Sequence, residues 1–273
     1  MGKSIKVGAV AYDPKVVTIW ELINDYFRAR GIPSDYVLFS NYEAQVEALL
    51  SGAIDIAWNT NLAYVRVHLR TNGECRVLAM RDTDVEFTTV IIARHDAGIA
   101  KLSDLKGKRF AFGSRDSGQA AILPAYFLQR EGIDPGKDIQ AIRFDLDVGK
   151  HGDTGTSEVE VLNAVTRGDA QAGAVGDQYW ARALAEGQVD RSKVAAIWTS
   201  PPYCHCNFTV LPQRYGKDLE AWTEVLMQMD YNNPEHRHIM DLEGLKGWVK
   251  PQLEGYKPLF LAVETTGYFD SLK

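Results

Sequence analysis

Short apolar segments alternate with amphipathic ones along most of this chain, and that alternation restricts the fold more than any other feature. Strands are predicted at residues 5–10, 36–39, 54–57 and 76–80, with helices at 16–30, 42–50 and 61–70. A second set of strands is predicted at 110–112, 141–144, 172–175 and 195–198. Strands that alternate with helices form a parallel sheet covered on both faces. The sequence therefore predicts an α/β protein with two lobes.

Composition excludes several classes of function. The 273 residues are 45% hydrophobic, enough for one large core or for two cores. The net charge of −6 arises from interspersed acids and bases, so there is no basic footprint for nucleic acid. No segment approaches the roughly 18 uninterrupted apolar residues of a membrane span. We expect no nucleic-acid partner, no direct membrane insertion and no cofactor.

A strand–turn–helix segment near the middle of the chain is the strongest functional signal. An apolar strand at 109–112 runs into a polar turn, and helical spacing follows over 119–130. The turn consists of Ser114, Arg115, Asp116, Ser117 and Gly118. The first N–H groups of a helix lack intrahelical acceptors and lie at the positive end of the helix dipole. Such a helix start favours the binding of an anion. Arg115 adds a two-pronged donor, whereas Asp116 or Ser117 would also serve as a simple helix cap.

Six segments in a fixed order carry a family resemblance. They are 7–12, 45–64 (QVEALLSGAIDIAWNTNLAY), 87–94, 102–124 with its DLKGK and SG elements, 161–177 (VLNAVTRGDAQAGAVGD) and 234–242 (PEHRHIMDL). Together they resemble the type 2 periplasmic binding fold of the phosphonate- and phosphite-binding proteins of ABC transporters. The resemblance implies a ligand cleft between two lobes. Lobe 1 would contain 1–88 and 205–273, and lobe 2 would contain 89–204, joined by two hinge crossings near 85–92 and 199–209.

This resemblance implies that the lobes close on a small polar or anionic organic molecule, phosphonate-like or carboxylate-bearing, without covalent chemistry. Ligands of such sheets bind at the carboxyl ends of strands. The candidate ligand-binding residues of lobe 1 and the return crossing are Tyr12, Trp58, Asn59, Thr60, Tyr203 and His205. Those of lobe 2 are Ser114, Arg115, Asp116, Ser117, Gly118, Lys150, His151 and Asp177.

The anion turn departs from the pattern of the phosphonate binders. Their turn usually reads Ser-Thr-Ser-Gly, and the matching positions here are Arg115, Asp116, Ser117 and Gly118. An ionised Asp116 would repel a phosphonate dianion whereas Arg115 would attract it, so the turn leaves the ligand class open. Asp177 matches an acid that meets the ligand amine in the aminophosphonate binders of this family.

The segment around Cys204 and Cys206 allows three interpretations. With Cys75 these residues form no even disulfide set, and a Cys-x-Cys pair is too close for an ordinary bridge. An extended strand would point both thiols one way and His205 the other. The thiols are then small buried hydrophobes, soft-metal ligands together with His151, or catalytic groups.

Two alternative functions follow from these residues. One is a cytosolic enzyme that resembles the pyrimidine-precursor synthase of fungal thiamine biosynthesis or the hydroxyphthalate-type decarboxylases. Its chemical groups would be His151, Asp153, Cys204 and Cys206. The other is a cytosolic ligand sensor.

The location of the protein depends on where its chain starts. An apolar strand begins almost at the first residue, with no secretory signal before it. If a signal peptide was removed, we expect an extracytoplasmic protein that hands its ligand to a membrane permease. If Met1 is the native start, we expect a cytosolic protein, and the unpaired cysteines agree with a reducing compartment.

Overall fold

The computed structural model describes residues 4–269, which form two compact units. The first unit contains the described residues up to Glu86 together with Cys204–Tyr256. The second unit contains Phe87–Tyr203 together with the described residues from Lys257 onward. No helix in the range 4–269 has both the length and the apolar composition that crossing a bilayer requires.

Helices and strands alternate as the sequence predicts. The strands are β1 (Ile5–Val10), β2 (Ser34–Phe39), β3 (Ile56–Asn59), β4 (Arg76–Val77), β5 (Met80–Arg81), β6 (Thr89–Arg94), β7 (Arg109–Phe112), β8 (Gln140–Arg143), β9 (Ala172–Gly176), β10 (Val194–Thr199), β11 (Asn207–Val210) and β12 (Trp248–Val249). The α-helices are α1 (Lys15–Arg28), α2 (Tyr42–Leu50), α3 (Asn61–Arg70), α4 (Leu123–Arg130), α5 (Thr156–Arg167), α6 (Asp177–Ala185), α7 (Lys217–Met227), α8 (Pro234–Glu243) and α9 (Lys257–Thr266). A π-helical turn, Gly118–Ile122, leads directly into α4.

The first unit is built on a five-stranded sheet in the order β2-β1-β3-β11-β4. Its largest core cluster is rich in aromatic side chains that gather around Phe208 on β11. The ring centroid of Phe208 lies 4.5 Å from that of Trp58 and 5.0 Å from that of Trp222. Burial of several large rings supplies much of the apolar area that stabilises this unit.

The second unit is built on a five-stranded sheet in the order β10-β6-β9-β7-β8. Its core is mainly aliphatic, and α5 packs its buried face, which includes Val161 and Val165, over β7 and β9. Gly173 on β9 allows this close approach, since an added Cβ would lie 2.6 Å from Val161. Strands β7 and β9 are parallel neighbours, so their carboxyl ends lie side by side.

Several predictions of secondary structure are corrected by the structure. Both sheets are mixed rather than parallel, because β11 runs antiparallel to β3, and β6 runs antiparallel to β9 and β10. The strand predicted at 76–80 is two short strands, β4 and β5, which belong to different sheets. Helix α6 was not predicted.

The C-terminal region divides between the two units. Helices α7 and α8 pack in the first unit, where Trp222, Leu226 and Ile239 join the aromatic core. Helix α9 instead contacts α4 and the π-helical turn of the second unit. The observed units thus differ from the predicted lobes, which put all of 205–273 with the N-terminal segment.

Candidate functional site

The polar turn after β7 has the helix-start geometry that the sequence predicts. Ser117 is the N-cap, and its Oγ accepts a hydrogen bond of 3.1 Å from the N–H of Ala120. The buried hydroxyl of Ser114 donates to the carbonyl oxygens of Phe144 and Leu146, so it fastens the turn to the neighbouring loop. In the described chain, the N–H of Gly118 has no hydrogen-bond acceptor. A helix start with such an amide and the positive dipole end suits an oxyanion.

The two charged residues of this turn have opposite placements. Asp116 is buried, and its Oδ2 accepts a hydrogen bond from the N–H of Gly149. Its Oδ1 is also buried and has no partner within residues 4–269. The side chain of Arg115 is exposed, while its backbone N–H donates to Asp145 at 2.8 Å. The negative group therefore points inward and the positive group lies at the surface.

A glycine-rich loop lies directly on the helix start. Gly152 has a φ of +88°, and a Cβ there would lie 2.5 Å from Ser117 Oγ and 2.9 Å from Gln119 Nε2. Only glycine accommodates both that backbone conformation and that approach. The same loop carries the buried His151, with a φ of +54°, and the half-buried Lys150, whose pKa is lowered by burial.

Glu158 is a functional candidate that the sequence reasoning missed. It is 3% exposed, and its Oε1 accepts a hydrogen bond of 2.6 Å from the N–H of Gly176 at the end of β9. Burial raises the pKa of Glu158 to about 7, against the opposing effects of the Gly176 N–H, the Gln119 side chain and Arg182. A carboxyl group that titrates near neutrality is typical of functional sites.

A signal for Glu158 was nevertheless present in the sequence. It precedes Val161, Leu162 and Val165 at the i, i+3, i+4 and i+7 spacing of one helix face. An acid on an otherwise apolar stripe is costly to bury and indicates a special role. Gln119 carries a similar signal, because it is buried one residue after the predicted turn and hydrogen-bonds Glu158.

Asp177 and Tyr203 lie near the same strand ends of the second unit. Asp177 begins α6, and its Oδ2 accepts hydrogen bonds from the backbone N–H and the hydroxyl of Thr88 at 3.1 and 3.0 Å. Tyr203 is buried, and its hydroxyl is 3.0 Å from Thr89 Oγ1, which donates to the carbonyl oxygen of Gln119. Burial raises the pKa of Tyr203, so its phenol stays protonated.

The candidate residues of the first unit are mostly used in packing and capping. Trp58 is in the aromatic core, and the half-buried Tyr12 packs against the same cluster. Thr60 is the N-cap of α3, since its Oγ1 accepts from the N–H of Ala63 at 3.3 Å. Asn59 is fully buried and accepts a hydrogen bond of 2.8 Å from Gln45, but its Nδ2 has no partner in the described chain.

The predicted orientation of the cysteine segment is wrong. The Cys204 thiol donates to the carbonyl oxygen of Gln252 at 3.2 Å. His205 Nδ1 lies 3.0 Å from Cys206 Sγ, although an extended strand would separate their side chains. The segment deviates because Phe87 pairs with Tyr203 only as an isolated bridge, and regular strand pairing resumes at Asn207.

The alternative catalytic set is not supported by this arrangement. Burial raises the pKa of Cys204 to about 12, so the group stays a thiol rather than a nucleophilic thiolate. The polar groups that do converge surround a helix start, which is a binding geometry.

The protein has two α/β units, and their strand ends carry capped helix starts and buried polar side chains. These features define a small-ligand-binding protein of the periplasmic-binding fold. The chain belongs to the family described as ABC transporter, phosphonate, periplasmic substrate-binding protein, whose family model matches residues 9–256. The predicted family and fold class are therefore confirmed.

Known relatives agree with this assignment. A probable ABC transporter phosphite-binding protein, PhnD1 of Prochlorococcus marinus (strain MIT 9301), is 26% identical over 232 residues, which cover 81% of this chain and 75% of the relative. The structure of PhnD1 from the same organism in complex with methylphosphonate has a TM-score of 0.74 and 24% identity, with 97% and 98% of the two chains covered. XAC2383 from Xanthomonas citri bound to ATP has a TM-score of 0.76 and 17% identity, with the same coverage.

Proposed function

We propose that this protein binds a small oxyanion of the phosphonate or phosphite class and delivers it to a membrane permease. Membership of the family supports the class of ligand and the transporter role. A relative is named as a phosphite-binding protein, and its structure contains methylphosphonate. The helix start at Ser117–Gly118 is the feature of this chain that carries the proposal.

The oxyanion would be held by backbone groups together with the Ser117 hydroxyl. The Ser114 hydroxyl already donates to a carbonyl, whereas the Ser117 hydroxyl accepts the Ala120 N–H and can still donate its own proton. The Gly118 amide and the dipole of the helix that follows supply the fixed positive potential. Arg115, at the surface of the same turn, supplies a flexible charged donor.

The buried acids of the site select among oxyanions. Asp116 directly precedes Ser117, and Glu158 hydrogen-bonds the Gln119 side chain. A dianion would be repelled by an ionised carboxylate, whereas an oxyanion that carries a proton or a hydroxyl can donate to it. The proposed ligand is therefore a singly charged or hydrogen-bond-donating member of the class.

Calorimetric titration with methylphosphonate, phosphite and sulfate tests the proposal. We expect saturable binding of methylphosphonate or phosphite, with tighter binding at pH 6 than at pH 8 because the ligands lose their second charge. Arg115→Ala should weaken binding about 10- to 100-fold through the loss of a charge-assisted hydrogen bond. The control Arg191→Ala changes an exposed arginine of the same unit.

Two results would contradict different parts of the proposal. If the wild-type protein binds neither methylphosphonate nor phosphite, the assigned ligand class is wrong. If both bind but Arg115→Ala has the affinity of Arg191→Ala, the turn does not use its arginine.

A further inference from the structure

Three buried side chains of the first unit bring different donor atoms together, away from the helix start described above. They are Asp84, His205 and Cys206, and one donor atom of each lies within 4.8 Å of the other two. His205 Nδ1 is 3.0 Å from Cys206 Sγ and 3.7 Å from Asp84 Oδ1. All three residues are at most 4% exposed.

The backbone holds these donors in place. The N–H of His205 donates to the carbonyl oxygen of Asp84 at 2.8 Å, which ties the two chain segments together. Cys206 belongs to the aromatic core, and it directly precedes β11. A preorganised set of donors loses little conformational freedom when an ion binds.

The charges around the cluster also suit a cation. Arg81 donates to both carboxylate oxygens of Asp84, at 2.6 and 3.0 Å, and to Glu243. One guanidinium, two carboxylates and one neutral thiol carry a net charge of −1 before a cation binds. A divalent ion that replaced the thiol proton would bring the cluster to neutrality rather than leave a bare ion in the core.

We propose that Asp84, His205 and Cys206 bind a divalent transition-metal ion, with Zn²⁺ as the ion that fits the donors best. Thiolate, imidazole and carboxylate are the three ligand types that zinc uses in proteins. Water would complete a tetrahedral set, and Arg81 would orient the Asp84 carboxylate through its hydrogen bonds to both oxygens.

The position of this site gives the ion a mechanical role. Asp84 lies two residues before the chain leaves the first unit, and His205 lies one residue after the point of return. A bound ion would cross-link the outgoing and returning segments within this unit. The metal would thus stiffen the base of both connections between the units.

Metal titration of the purified, chelator-treated full-length protein tests the site. We expect about one equivalent of Zn²⁺ to bind, and Co²⁺ to show a thiolate-to-metal charge-transfer band. Cys206→Ser should weaken binding by more than about 100-fold, since loss of an outer-shell partner alone costs about 10- to 100-fold. Cys204→Ser is the matched control, because it removes a neighbouring thiol that points to Gln252.

A second variant guards against misfolding of the core cysteine variant. Asp84→Asn should keep the fold, as judged by circular dichroism, and should lose most of the affinity for Zn²⁺ while retaining the affinity for methylphosphonate. The proposal is overturned if the wild-type protein takes up no Zn²⁺ or Co²⁺. It is equally overturned if Cys206→Ser and Asp84→Asn both bind Zn²⁺ as the wild type does, or if Cys204→Ser abolishes the cobalt band.

Discussion

Two matching helix–glycine–strand segments, one in each unit, lead to different chemistry. In the first unit α2 passes through Gly52 into β3, and in the second unit α5 passes through Gly168 into β9. Both glycines have positive φ, at +75° and +86°. When the glycines are aligned, the buried Tyr42 stands where the second unit has Glu158.

The buried polar group at the strand end differs accordingly. In the first unit the amide of Gln45 donates to the Trp58 carbonyl and to Asn59, both at 2.8 Å. In the second unit the carboxyl of Glu158 accepts from the Gly176 N–H. An amide does not titrate, whereas a buried carboxyl does, so proton-dependent behaviour is expected from the second unit.

The largest expected effect is a pH dependence of stability that arises from Glu158. Its pKa is raised from 4.5 to about 7 on folding, so the folded state holds a proton that the unfolded chain has released. The contribution of Glu158 is complete below pH 4.5 and is lost as the pH rises to about 7. The loss amounts to about 3 kcal/mol. Urea denaturation between pH 5 and pH 8 measures it.

Glu158→Gln supplies the comparison for this measurement. Glutamine keeps the size and the acceptor oxygen but has no proton to release, so the variant should lose much less stability between pH 5 and pH 8. Glu160→Gln, on the same helix but half-buried, should behave as the wild type does. Equal pH profiles for the wild type and Glu158→Gln would show that the carboxyl does not titrate differently in the folded state.

The next effect concerns the approach of the glycine-rich loop. Gly152→Ala should destabilise the protein by about 2–3 kcal/mol, because the position combines positive φ with a close contact to Ser117. Gly52→Ala has a similar φ but open space around it, and should cost only about 1 kcal/mol. Thermal unfolding of both variants tests whether the close contact with Ser117 requires glycine at position 152 in addition to the positive φ. Equal losses of stability in the two variants would contradict a role for the contact.

A smaller effect is expected at the strand end of the first unit. Gln45→Met should cost about 1–2 kcal/mol, because the Asn59 side-chain oxygen loses its buried donor. This loss should be the same at pH 5 and pH 8, whereas the loss of stability that arises from Glu158 in the second unit depends on pH. Chemical denaturation at the two pH values measures this loss. A pH-dependent loss would contradict the expectation that only the second unit, through Glu158, responds to pH.

Local patterns explain why the sequence predicts the fold better than the site. Helix α2 could be located because its buried residues follow a helical period, and β1, β3 and β9 because each is a short, almost continuously buried apolar run. The antiparallel direction of β11 and the packing of α9 depend on contacts between distant segments. The spacing of apolar residues in the sequence contains no information on such contacts. The orientation of His205 and Cys206 likewise depends on Asp84, more than a hundred residues away.

The turn at 114–118 shows the same limit within one short segment. Its helix-capping Ser117 could be predicted, because capping is a local interaction. The inward position of Asp116 could not, because it depends on the Gly149 N–H of a distant loop. Side chains in the turn are therefore assigned by tertiary contacts, even where the backbone is set locally.

The smallest expected effect on stability is at Arg115, the exposed member of that turn. Its guanidinium has no ion pair with the other residues in 4–269, so Arg115→Ala should change the free energy of unfolding by less than about 0.5 kcal/mol. Asp116→Ala should destabilise the protein by about 1–3 kcal/mol, because the Gly149 N–H would lose its buried acceptor. Urea denaturation of the two variants without ligand compares neighbouring residues of one turn. A larger loss for Arg115→Ala than for Asp116→Ala would mean that the exposed arginine, rather than the buried acid, holds the loop.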